Sequence, residues 1–240
     1  MGTIIDKKVQ QNGMALGGIG TGTVEINQNG ILKNWNIFNL GKWASVDVKK
    51  NKREDLYDYE DNTMLFFLRT KQANDLPKIR KLSHGTDPGE FRSMMFSWYK
   101  EVKEIHYDAS FPIGELSYID KTLPIKIHSE FTSPFVPLDS RVSGTPGFYA
   151  TFYIENVTDE EVEVSLLGKL KNPINRGIKD RQLRNILSEH SDHMSITMKS
   201  DVTNIDQQNG SVSFSVSGGE QSYIKGDFSA FFSNYVLNGD

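Results

Sequence analysis

The sequence contains no cysteine, which removes disulfides, thiolate metal sites and a cysteine nucleophile together. No apolar run approaches the roughly 20 residues that a helical membrane span needs, and Met1 to Gln10 lacks the apolar core of a signal peptide. Charge of one sign is nowhere concentrated in a long block. The 27 lysines and arginines stand against 31 acids for a net charge of −4, which excludes the basic footprint of a nucleic-acid binder. The cluster Lys49-Lys50-Asn51-Lys52-Arg53 is followed at once by Glu54, Asp55, Asp58, Glu60 and Asp61, so it reads as a solvated loop. Helical periodicity is scarce, and no internal repeat or low-complexity linker marks a second domain. No G-x-S-x-G stands between a strand and a helix, which leaves a serine triad without support.

What is present is 240 residues with a hydrophobic fraction of 37%, enough for a real core in one large β domain or two small ones, and without a linker signal the chain reads as a single β domain over residues 1–240. The composition is that of a soluble globular protein and fits the cytoplasm as well as a secreted or periplasmic location after signal removal. The most informative segment is Ala15-Leu16-Gly17-Gly18-Ile19-Gly20-Thr21-Gly22-Thr23. A dinucleotide loop needs its glycines between a strand and a helix, so that the helix N-terminus meets the pyrophosphate. Here Val24 and Ile26 alternate with Glu25 and Asn27, Asn29-Gly30 offers the φ > 0 positions of a tight turn, and Ile31 to Phe38 reads as the returning strand. The spacing is G-x-G-x-G rather than G-x-G-x-x-G, and the Lys and hydroxyl pair of a P-loop is missing. A glycine run leading into a hairpin points instead to close backbone approach, either to a ligand or to a second domain.

Strand signals recur along the rest of the chain. Met64 to Thr70, Met94 to Tyr99, Val102 to Tyr107, Ile113 to Ile119 and Leu123 to Phe131 are short runs rich in β-branched and aromatic residues, separated by Gly, Pro, Asp and Asn. Alternation in Ile125 to His128, Glu161 to Leu166 and Ser211 to Val216 predicts strands with one wet face. Phe148 to Asn156, almost wholly apolar or aromatic, reads as a central strand, and Leu183 to Glu189 pairs with Met194 to Lys199 across Ser191-Asp192-His193. Gly41 to Asp61, with Trp43, Tyr57 and Tyr59, reads as a long excursion. The best helix spans Asp227 to Tyr235, where Phe228, Phe231 and Phe232 fall at i, i+3 and i+4 behind a possible Asp227 N-cap. The pattern predicts an all-β fold, a large antiparallel supersandwich-like β-sandwich with decorated loops and at most a short C-terminal helix.

Paired carboxylates are the equipment of glycoside hydrolysis, but spacing alone selects no pair from so many acids. Asp139 stands out because it follows the apolar turn Ser133-Pro134-Phe135-Val136-Pro137-Leu138 and precedes Arg141, where an Asp-Arg pair or an Asx-turn is the bland alternative. His190 and His193 with Glu189 and Asp192 form the one cluster of ligand-type residues, and a solvated turn outweighs a metal site there. Trp35, Trp43 and Trp98 are candidate sugar platforms, although Trp35 shares even spacing with Ile31 and Ile37 and reads first as a packing residue.

Several segments together resemble the N-terminal domain of glycoside hydrolase family 116, the group of the non-lysosomal glucosylceramidases and related bacterial β-glucosidases. They are Leu16-Gly17-Gly18-Ile19-Gly20-Thr21-Gly22 and Trp35-Asn36-Ile37-Phe38-Asn39, then Phe111-Pro112, Tyr118-Ile119-Asp120, Leu123 to Ile127 and Ser133 to Asp139, then Phe148 to Leu167 and Phe228 to Gly239. The resemblance covers nearly the whole chain, with Gly41 to Glu90 matching poorly. It implies a non-catalytic domain that packs on a C-terminal (α/α)6 barrel carrying both catalytic carboxylates, a barrel this sequence does not contain. It also implies a glycoside substrate for the parent, no cofactor, no metal, and no catalytic residue in this chain. The residues expected at the domain interface or near the sugar are Gly17, Gly18, Ile19, Gly20, Thr21, Gly22, Trp35, Asp139 and Arg141. The alternative is a free-standing carbohydrate-binding sandwich, which would expose two or three aromatics in a line and lack an apolar docking patch. A chain that itself hydrolyses glycosides would need two carboxylates converging in one pocket.

Overall fold

The computed structural model describes residues 13–37, 64–73, 75–84, 99–175, 182–202, 209–224 and 234–239. The excursion at Gly41 to Asp61, the cluster Lys49 to Arg53, Trp43, Trp98, nearly all of the predicted Met94 to Tyr99 strand and most of the Asp227 to Tyr235 helix lie outside them.

Most of the described chain is strand. β1 (Met14–Leu16), β2 (Thr23–Ile26) and β3 (Leu32–Asn36) form an antiparallel three-stranded sheet. β4 (Leu65–Gln72), β5 (Lys78–Lys81), β6 (Tyr99–Glu101) and β11 (Val162–Lys169) make a sheet in the order β11-β4-β5-β6, in which β5 and β6 run parallel. β7 (Glu104–Ser110), β8 (Ile113–Ile119), β9 (Ile125–Thr132) and β10 (Tyr149–Asn156) form a fully antiparallel sheet ordered β10-β9-β8-β7. β12 (Leu183–Glu189), β13 (His193–Ser200) and β14 (Val212–Ser217) complete the set as a meander. Two short helices accompany them: α1 (Ser140–Ser143), and α2 over residues 234–238. The all-β sandwich read from the sequence is the architecture found, and among the described residues no helix is long and apolar enough to cross a membrane.

The sandwich closes because the strands alternate. On β8 the buried positions are Gly114, Leu116 and Tyr118, and on β9 they are Ile125, Ile127, Ser129 and Phe131. These face Phe66 and Leu68 of β4 together with Met14, Leu16, Val24, Ile26, Leu32 and Trp35, in one continuous core. Phe66 meets Phe152 and Phe131 at centroid separations of 4.8 and 6.2 Å, the tilted and edge arrangements that aromatic quadrupoles favour. Tyr107 pins the first sheet to this core, its hydroxyl accepting from the Met14 amide at 3.1 Å and donating to the Ile26 carbonyl at 3.2 Å.

β4 is buried on both faces. Its other side sets Phe67 with Ile79, Tyr235 and Val236 in a second core beneath α2. Arg69, fully buried, donates from Nε to the Val236 carbonyl at 2.9 Å and from Nη2 to Leu237 at 3.1 Å, satisfying the carbonyls that the end of a helix leaves open, and it ion-pairs with Glu163. The Tyr235 hydroxyl sits 3.0 Å from both the Phe67 and the Ser165 carbonyls.

Three local readings change. Phe148 to Asn156 was expected as a central strand, yet β10 stands at one end of its sheet. Its aromatics divide between faces: Phe148 and Phe152 pack inward, while Tyr149 and Tyr153 turn to solvent. The turn after β2 uses a positive φ at Gly30 alone, at +70°, whereas the Asn29 amide is held by the Asn27 side chain at 3.0 Å. Trp35 does not share its face with Ile31. Between Thr23 and Glu25 the register to β3 slips by one residue, with Asn34 at φ +51°, so Leu32 and Trp35 enter the same core despite odd spacing.

Candidate functional site

The glycine segment is the loop of a β-hairpin, not the approach to a helix. Leu16 at the end of β1 pairs with Val24 of β2, and residues 17–22 span the gap between the two strands. That topology gives no helix N-terminus to hold a phosphate, so the nucleotide reading is excluded on geometry as well as on spacing. The loop lies at the surface, with Ile19 64% exposed.

Its neighbour is the segment after β9. Gly17 donates its amide to Ser133 Oγ at 3.2 Å, and the Ile19 amide donates to the Ser143 carbonyl at 2.6 Å. A Cβ on Gly18 would collide with the carbonyl of Thr145, so the close backbone approach is to a loop of the same domain, whereas the sequence pointed to a ligand or a second domain. Ser133 in turn donates its amide to the Pro112 carbonyl at 2.9 Å, drawing in the β7–β8 turn, where Phe111 packs edge-on against Phe135 at 5.2 Å. Three loops therefore meet at one end of the sandwich.

The second loop is built on Asp139. Its Oδ1 accepts the amides of Arg141 and Val142, each at 3.0 Å, and so caps α1. The bland alternative for this residue was right in its Asx form: the carboxylate takes the Arg141 backbone rather than its guanidinium. Ser143, buried under the loop, returns a hydrogen bond to the Val136 carbonyl at 2.9 Å and receives the Val136 amide at 3.0 Å. α1 itself was not located from the sequence, although Asp139 followed by Ser140 is a helix-start signal.

Of the nine expected site residues, Gly17 to Gly22, Asp139 and Arg141 gather at this end. Trp35 does not. It lies inside the core, 4% exposed, with Nε1 donating to the Leu32 carbonyl at 3.2 Å, while the backbone of its neighbour Asn36 passes close to Gly22.

The surface so formed is apolar. An open groove of about 390 Å³ is lined by Ala15, Gly17, Gly18, Ile19, Gly20, Gly22, Thr23 and Phe111. On the adjoining segments Val136, Leu138, Val142 and Ile113 also expose aliphatic side chains. The exposure of Val136 to Leu138 is not legible in the sequence, where the run reads only as an apolar turn. Its signal was an apolar stretch held in a turn by Pro134 and Pro137.

Groups with acid, base or ligand chemistry lie elsewhere. Asp120 is buried against Arg80, accepting from Arg80 Nε at 2.6 Å and from the Thr122 amide and hydroxyl at 3.0 and 2.6 Å. Burial pushes its pKa up, but the Thr122 and Arg80 hydrogen bonds and the Arg80 charge outweigh it and hold the carboxyl below its ordinary value. His190 and His193 stack at 4.3 Å, and Asp192, hydrogen-bonded to His193 Nδ1 at 2.8 Å, is held below the usual carboxylate range by that bond. Among the described residues no group of three or more His, Asp or Glu takes a metal-binding geometry.

Against known proteins, residues 13–238 match the family described as beta-glucosidase 2, glycosyl-hydrolase family 116 N-term. Among curated proteins, none matches the sequence.

Proposed function

Because the chain belongs to the N-terminal domain family of glycoside hydrolase family 116, we propose that it is the non-catalytic β domain of a β-glucosidase-like enzyme, packing on the helical (α/α)6 catalytic domain of its parent and holding the active-site mouth in shape. The family description implies a C-terminal catalytic domain in the parent protein. The observation that carries the proposal is the apolar end of the sandwich, where Ile19, Phe111, Val136, Leu138 and Val142 stand exposed around the glycine loop. Exposed apolar groups, four of these five aliphatic, gathered on hydrogen-bonded loops suit burial against another protein surface better than contact with sugar hydroxyls. In this reading the whole chain acts as one body, and the glycoside belongs to the catalytic domain's pocket.

A carbohydrate-binding module is the second reading, and Tyr149 and Tyr153 on the wet face of β10 are its supporting observation. The Tyr153 ring is already stacked on His128 at 4.5 Å, with its hydroxyl on Glu130, so the free aromatic surface there is reduced.

The test is turnover of aryl β-glucosides and glucosylceramide by this chain and by the same chain joined to its catalytic domain. The proposal expects turnover in the joined protein only; turnover by the short chain rejects it.

A further inference from the structure

Leu138 occupies a position that its own fold does not reward. It follows Pro137, its φ is +65°, and the Asp139 amide donates to the Val136 carbonyl at 3.1 Å, which together give the geometry of a type II turn with Leu138 at the third residue. Glycine is the ordinary occupant there, because an L side chain in the left-handed region crowds its own backbone. The leucine side chain also gains no burial in exchange, being fully exposed at 108%.

The turn is nonetheless held firmly. Ser143 Oγ bonds both the amide and the carbonyl of Val136 on one side, and Asp139 caps α1 on the other. The Ile19 amide ties the glycine loop to the same short helix through Ser143. A bulky apolar group on a strained but braced backbone, in a loop that also exposes Val136 and Val142, has the form of a preorganised interface anchor, since little ordering remains to be done when it docks.

We infer that Leu138 is the anchor of the docking surface, a preset knob that seats in an apolar recess of the catalytic domain following this one in the parent protein. The inference rests on the proposed function above and assigns the partner's contact to one residue. A glycoside is a poor occupant of this position, because the Leu138 side chain itself offers neither a stacking face nor a hydroxyl partner.

Leu138→Gly and Leu138→Asp, placed in this chain and in the parent enzyme, provide the test, read by hydrogen exchange, urea unfolding and turnover. In the chain alone the Gly variant should unfold at higher urea than the wild type, because strain is relieved and no packing is lost. In the parent, amides at residues 17–22 and 138–145 should exchange more slowly than in the chain alone. Both variants should return them to about tenfold faster exchange and lower turnover. If the parent protects these amides equally in wild type and variants, the anchor is overturned while domain docking stands. If the parent never protects them, the docking surface lies elsewhere and the anchor falls with it. If the chain alone forms dimers that Leu138→Asp dissolves, the knob belongs to a second copy and the inference is overturned.

Discussion

A methyl group added to Gly18 would stand 2.8 Å from the carbonyl carbon of Thr145, so Gly18→Ala must separate the glycine loop from the loop that carries α1. Backbone atoms on both sides leave no flexible side chain to yield, and the cost should fall in the range of forced overpacking, about 1–3 kcal/mol. Urea unfolding should show a lower midpoint with an unchanged slope; an unaltered midpoint would mean that the two loops are not in contact. At this scale the sequence was legible where a residue type has one ordinary use. The glycines announced a close backbone approach, although its partner is a loop of the same domain rather than a ligand or a second domain, and of the two uses offered for Asp139 the Asx turn is the one found. Leu138 was not legible, because nothing in an apolar turn residue tells whether it points inward or into water.

Among elements, the pairing of β5 with the β8–β9 turn depends on Arg80 and Asp120, which are both buried. The Asp120 pKa is lowered in the folded chain, so its ionised form contributes stability that is fully present above the unfolded value near 3.9 and is lost as pH falls through the folded one. Asp120→Asn should therefore destabilise at neutral pH, by roughly 3–5 kcal/mol if the buried Arg80 is left without a counter-charge. The gap between variant and wild type should narrow below about pH 4 in urea unfolding followed against pH. A gap that stays constant down to pH 2 would remove the ion pair from the explanation. α2 depends in the same way on Arg69, whose guanidinium binds the Val236 and Leu237 carbonyls. Arg69→Met should release the helix, and the amides at residues 235–239 should lose their exchange protection before the sandwich does. β9, β11 and β14 could be read from period-two alternation, β8 from its β-branched and aromatic content and the β12–β13 hairpin from the polar turn between two strand-like runs, and all were found close to where they were expected. The slip at Asn34 could not, since a single extra residue inverts the faces beyond it and leaves no mark in composition.

For the whole molecule, the fold class followed from many short strands and few helical periods, while the site did not follow from any chemistry-bearing cluster. The apolar end gathers glycines, aliphatics and Phe111 from three separate loops, and only the chain's topology joins them. The resemblance supplied the expectation of a partner domain, and the exposed apolar end is the surface we propose for it. Ile19 is the residue on which this claim is most exposed to test, because its side chain projects from the glycine loop and substitution there should leave the isolated chain as stable as before. The decisive measurement is turnover of an aryl β-glucoside by the parent enzyme with and without Ile19→Asp. A charge buried at the domain contact should lower turnover by about tenfold or more. Equal turnover in the two enzymes would contradict the assignment of this end of the sandwich to the catalytic domain.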